Sequence, residues 1–124
     1  MRLTLLLGIA LSLGACKKQQ GEPPPPTDPN RPTPISDTEV KRGNDACQAL
    51  IDKSCKCADS DKAPQKQESC ALAKGYPEAI RVALEVAASP DSTRRDILQA
   101  HDSMRKTVKT CVELIAKLPT TGCL

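Results

Sequence analysis

A chain of 124 residues with seven cysteines, eleven prolines and a single aromatic residue, Tyr76, has room for one small domain and few large side chains to fill it. An aliphatic core of that size needs covalent staples. The formal charge is +3, yet from Asp37 onward 14 lysines and arginines face 13 aspartates and glutamates; this near-balance, without stacking aromatics, excludes nucleic acid as a partner.

The chain opens on a short positive head, Met1-Arg2, followed by an apolar run from Leu3 to Leu13 and two small residues, Gly14 and Ala15, before Cys16. This is the layout of a secretory signal peptide. The run falls well short of the roughly 20 apolar residues that a spanning helix needs. Leu13-Gly14-Ala15-Cys16 resembles the lipobox of bacterial lipoproteins at all four positions, a resemblance confined to residues 1–18. It implies cleavage of a signal peptide, residues 1–15, and a diacylglycerol in thioether linkage to the Cys16 sulfur, with a further acyl chain on the new amine. Several chains anchor a protein to a membrane far more firmly than one. By the sorting rule of such lipoproteins, Lys17 after the lipidated cysteine directs the protein to the outer membrane. A thioether sulfur forms no disulfide, so the odd cysteine count becomes six plus one.

Residues 16–36 then comprise the lipidated cysteine and a linker. Seven of the eleven prolines fall between Pro23 and Pro34. Proline lacks an amide donor and fixes φ, so this stretch favours polyproline II over ladder or core. At about 3.1 Å per residue it reaches on the order of 60 Å. Its PxxP spacings also suit a docking peptide, but the usual readers of such peptides are not expected outside the cytoplasm, and a spacer is the better reading.

The cysteine-rich domain, 37–124, reads as all-α. Ser36 and Glu39 have capping-box spacing, with Ile35 and Val40 placed as a hydrophobic staple. A first helix over about 37–54 carries Val40, Cys47, Leu50 and Ile51 on one face. Gly43 is a flaw in it, so the helix is expected to begin properly near Asn44. Cys55 to Ala63 is polar and turn-like, and Pro64 suits the first position of a second helix. Cys70, Ala73, Pro77, Ile80, Leu84 and Ala87 keep one helical register through Gly75-Tyr76-Pro77, which predicts a kinked helix over about 64–88 rather than a reversal. After a turn at Ser89-Pro90, a third helix over about 91–118 carries Ile97, His101, Met104, Val108, Cys111, Ile115 and Leu118 on one stripe, with Pro119 ending it. The predicted fold is a disulfide-stapled three-helix up-down-up bundle.

The six cysteines of the domain form a disulfide framework with fifteen possible pairings. In an up-down-up bundle Cys47, Cys70 and Cys111 share one level, and Cys55, Cys57 and Cys123 sit at a common end. Three cysteines per level require at least one bridge between levels; which one stays open.

Candidate chemistry is sparse. Cys55-Lys56-Cys57, with Lys53 and Lys62 nearby, suggests a reactive thiol or a metal site, but thioredoxin-like enzymes use C-x-x-C beside a βαβ unit, and an oxidising compartment consumes thiols first. His101 is the only histidine and falls on the apolar stripe, where a packing role is the simpler reading. Asp59 and Asp61 lack the ordered ligands of a calcium loop. Arg94, Arg95, Arg105, Lys106, Lys109 and Lys117 give the third helix a basic face, diluted by Asp96, Asp102 and Glu113. No catalytic residue, metal ligand or cofactor is assigned. The expectation is a non-enzymatic, membrane-anchored envelope lipoprotein whose helical module meets an envelope or external partner. The competing expectations are an envelope thiol-redox or metal-handling protein using Cys55 and Cys57, and a small inhibitor or exclusion protein.

Overall fold

The computed structural model describes residues 28–123, and the signal segment, Cys16 and the linker as far as residue 27 lie outside the described residues. The described chain is a helical bundle with no strand: α1 (Asp37–Ser60), α2 (Pro64–Ala73), α3 (Tyr76–Ala88) and α4 (Arg94–Lys117), closed by a 3-10 turn, Leu118–Thr121.

α1 starts where its cap predicts. The Glu39 amide donates to the Ser36 hydroxyl at 3.2 Å, and Ile35 and Val40 both pack on the core as a staple does. The second half of the capping box is missing, because the Glu39 carboxylate turns to Arg105 of α4, accepting from its Nε at 2.7 Å. Gly43 does not delay the helix. It is buried, and a Cβ there would lie 2.6 Å from Val108 Cγ2, so the glycine sets how closely α1 and α4 approach.

The first helix also runs on to Ser60, through residues expected to form a turn. The reason is burial. Ser54, Cys57 and Ala58 face the interior, and their burial outweighs the weak helix propensity of a polar segment. The helix stops at Ser60, and the Asp61 carboxylate that follows accepts from the Ala63 amide at 3.0 Å. Pro64 then opens α2 at the position where its missing amide costs nothing. Gln67 ties the two helices together by donating to the Ala58 carbonyl at 2.6 Å.

Between α2 and α3 the helix is interrupted at Lys74 and Gly75, yet both keep right-handed helical dihedrals (φ −63°, ψ −20° and φ −78°, ψ −23°). Pro77 has no N–H for the Ala73 carbonyl, and the Gly75 amide tightens to the Leu72 carbonyl at 3.0 Å. The expected kinked helix is thus two helical segments in one register. α4 begins at a full capping box, Thr93 with Asp96, and so starts at Arg94, later than the expected start near residue 91. It ends as Leu118–Thr121 tightens into the 3-10 turn and Gly122 adopts φ +75°.

The core joins Cys47, Leu50, Ala73, Ile80, Ala83, Met104, Cys111 and Leu118. Five of these are alanine, methionine or half-cystine, so cross-links stand where larger domains place aromatic rings. α1 packs against α2 and α4, and α3 packs chiefly against α4. Pairs joining α1 to α4 and the tail keep nearly constant sequence separations: 66 for Glu39–Arg105, 64 for Cys47–Cys111 and 66 for Cys57–Cys123. Pairs joining α1 to α2 converge on the intervening turn, with separations of 15 for Cys55–Cys70 and 9 for Ala58–Gln67.

Candidate functional site

All six cysteines of the domain are bridged. Cys47 pairs with Cys111 across 5.0 Å between α-carbons, Cys55 with Cys70 across 4.6 Å and Cys57 with Cys123 across 5.2 Å, each within the reach of a disulfide. Cys47 and Cys111 are wholly buried at the centre, whereas Cys55 and Cys70 are partly exposed. Only Cys55–Cys70 joins the two expected levels. The Cys55-Lys56-Cys57 motif is therefore divided. Two residues on an α-helix turn through about 200°, which points Cys55 at α2 and Cys57 at the C-terminal tail.

His101 is buried in the α4 stripe, 6% exposed. Burial pushes its imidazole pKa below the ordinary value; the Arg105 charge adds to this, and Glu39 opposes it. The Arg105 guanidinium, hydrogen-bonded to Glu39, in turn holds that carboxyl below the usual carboxylate range. No group of three or more histidine, cysteine or acidic side chains among the described residues is arranged to hold a metal ion. Of the six basic residues of α4, Lys106 pairs with Asp102 at 2.7 Å and Lys109 with Glu113 at 3.7 Å along the helix, all four well exposed, while Arg105 reaches across to Glu39 of α1. Asp59 and Asp61 face Lys62 and Lys66 respectively rather than each other.

Two features escaped the sequence. The first is at the start of the described chain. Arg31 Nη2 donates to the carbonyls of Ala87 and Ser89, both at 2.9 Å, and Arg94 donates to the Asn30 carbonyl at 2.8 Å. Helix C-termini leave carbonyls without partners, and here an arginine from the proline-rich stretch supplies them for α3. Its partners lie 56 and 58 residues away, and a lone arginine among prolines carries no periodic signal.

The second is a cavity of about 470 Å³ between α1, α2 and the end of α4. Leu50, Leu72, Ala73, Leu114 and Leu118 form its apolar wall, joined by Tyr76, the buried Ser54, Lys66 and Lys117. Leu72 stands at its edge 61% exposed. Lys66 is held by the Asp61 carboxylate at 2.6 Å and donates to the Gly122 carbonyl at 3.4 Å. A leucine off the main stripe was the one trace of this cavity in the sequence. A longer, shallower groove of about 680 Å³ runs between α3 and α4 over Ala79, Val82, Ala83 and Val86.

No family model, curated protein or solved structure matches the chain.

Proposed function

We propose that this is a bacterial envelope lipoprotein, anchored through acyl chains on Cys16 and displaying a disulfide-stapled helical module to an envelope or external partner. The carrying observation is the conjunction of the lipobox-like Leu13-Gly14-Ala15-Cys16 with the bridge arithmetic. The six other cysteines take one another, so no bridge in the domain calls for the sulfur of Cys16. Disulfides of this density suit an oxidising compartment. No helix among the described residues is long and apolar enough to cross a membrane, and in this reading lipid serves as the anchor.

We read the bundle as up-down-up. The constant separations between α1 and α4 are those of parallel neighbours, and the converging separations between α1 and α2 those of antiparallel ones. The linker then joins the module beside the start of α4, at the Arg31 clamp. The 24 residues of α4 extend about 36 Å at 1.5 Å per residue, so the far end of the bundle faces away from the point of attachment. Tethering raises the local concentration of the module at the membrane, which strengthens weak contacts there.

The test is metabolic labelling of expressing cells with an alkynyl palmitate, comparing the native chain with Cys16→Ser. Label and membrane retention in the native chain, both lost in the variant, are expected. An unlabelled native protein that washes off in detergent-free buffer overturns the anchor.

A further inference from the structure

We propose that the cavity between α1, α2 and the end of α4 binds a single-chain anionic amphiphile, of the chemical class of a medium-chain fatty acid. Its volume of about 470 Å³ lies within the range of about 300 to 1,000 Å³ typical of small-molecule sites. A two-chain lipid is too large for that volume, whereas one alkyl chain fits. The wall has the composition such a chain needs: Leu50, Leu72, Leu114 and Leu118 supply apolar surface on several sides. Leu72 is more than half exposed at the edge, where an alkyl chain entering the cavity would cover it.

Charge selects the head group. Lys66 and Lys117 line the cavity itself, and Lys53 and Lys56 line an adjoining hollow that shares Lys66 and Cys123 with it. Asp61 answers Lys66, at 2.6 Å, while among the described residues no carboxylate pairs with Lys53, Lys56 or Lys117. An anionic head group beside the cavity thus meets an excess of cations. A carboxylate there shares the Lys66 ammonium with Asp61 and draws on Lys117, the exposed lysine in the last turn of α4. The ligand is taken up as a monomer from solution, so a membrane surface is a distinct occupant that the test separates. The inference deepens the partner reading but stands on the cavity alone, independent of lipid on Cys16.

The test is photo-crosslinking of the full chain, its three bridges intact, with a diazirine-bearing dodecanoate, followed by peptide mapping. Label is expected on the segments around Leu72 and Leu114, competed by dodecanoate and not by dodecanol or dodecyltrimethylammonium. Leu72→Gln and Lys117→Glu both alter exposed positions, and helical circular dichroism with no alkylatable thiol certifies their fold. The first is expected to reduce labelling severalfold; the second is expected to abolish the preference for dodecanoate over a diazirine-bearing dodecyltrimethylammonium. Equal competition by dodecanol, label concentrated in the groove around Val82 and Val86, or indifference to both substitutions overturns the proposal. So does binding to anionic phospholipid vesicles without monomer labelling. The palmitate experiment reads residue 16 alone, so either reading can fail without the other.

Discussion

Gly43 of α1 and Val108 of α4 meet so closely that a single added methyl would bring carbon within 2.6 Å of carbon. Met104 Cε stands 3.2 Å from the same point. By propensity alone Gly43→Ala should stabilise α1 by up to ~1 kcal/mol, but overpacking a closed contact costs about 1–3 kcal/mol. The second effect is expected to win, with a net loss of up to about 2 kcal/mol. Urea denaturation of Gly43→Ala, Val108→Ala and the double variant checks this. The contact predicts that Gly43→Ala is tolerated, or even stabilising, once Val108 is trimmed, a coupling that independent sites do not show.

The three bridges differ in accessibility and loop size. Cys47–Cys111 is wholly buried and closes a separation of 64 residues, whereas Cys55–Cys70 is partly exposed and closes 15. On chain-entropy grounds removal costs about 4 kcal/mol for the first and about 3 kcal/mol for the second. Graded reductant with alkylation and mass mapping should find Cys55 and Cys70 modified first, with Cys47 and Cys111 yielding only on global unfolding. Alkylation without reductant should label none of the six. Reactive thiols at Cys55 and Cys57 in the native protein would instead favour the redox reading.

Acidification should destabilise the domain in two stages. Burial and Arg105 hold the folded-state pKa of His101 below its ordinary value of 6.5, so the unfolded chain binds the proton first. Stability then falls as pH drops from about 6.5 toward the folded-state value and stops responding to His101 below it. Glu39, held below its ordinary 4.5 mainly by its hydrogen bond from Arg105, loses its contribution at still lower pH. Denaturation midpoints measured from about pH 7.5 down to about pH 2.5 test the order. His101→Met should flatten the upper slope and leave the lower one; an unchanged upper slope assigns it to another group.

The Arg31 clamp predicts a local effect. Losing hydrogen bonds from a charged donor to two helix-end carbonyls costs on the order of 1–3 kcal/mol. In Arg31→Ala, amide exchange should quicken at the end of α3 and through residues 31–36, while the centre of α4 changes no more than the global stability does. Arg31→Lys reaches one carbonyl but has no planar fork, so partial recovery is expected. Uniform loss of protection across the bundle would argue against a clamp.

Much of the helical content was legible because burial recurs at the helical period. The stripe from Ile97 to Leu118 is the inward face of α4, and the register from Cys70 to Ala87 runs across the interruption at Lys74 and Gly75. Local chemistry misleads where tertiary burial opposes it. Residues 55–60 look like a turn because they are polar, yet Cys57 and Ala58 are drawn inward and carry the helix with them. Gly43 looks like a helix breaker because propensity is a local property, while Val108, which packs against it, lies far away in sequence on α4.

The sequence by itself determined the helical periodicities, the capped start of α1 at Ser36 and the opening of α2 at Pro64. Each is carried by neighbouring residues, whose spacing is fixed covalently. Tertiary structure alone decided which sulfurs meet, that Arg31 closes the end of α3, and that Leu50, Leu72 and Leu114 enclose a cavity beside two lysines. Those depend on how rigid helices approach one another across tens of residues, and side-chain volume and loop geometry set that approach jointly rather than residue by residue.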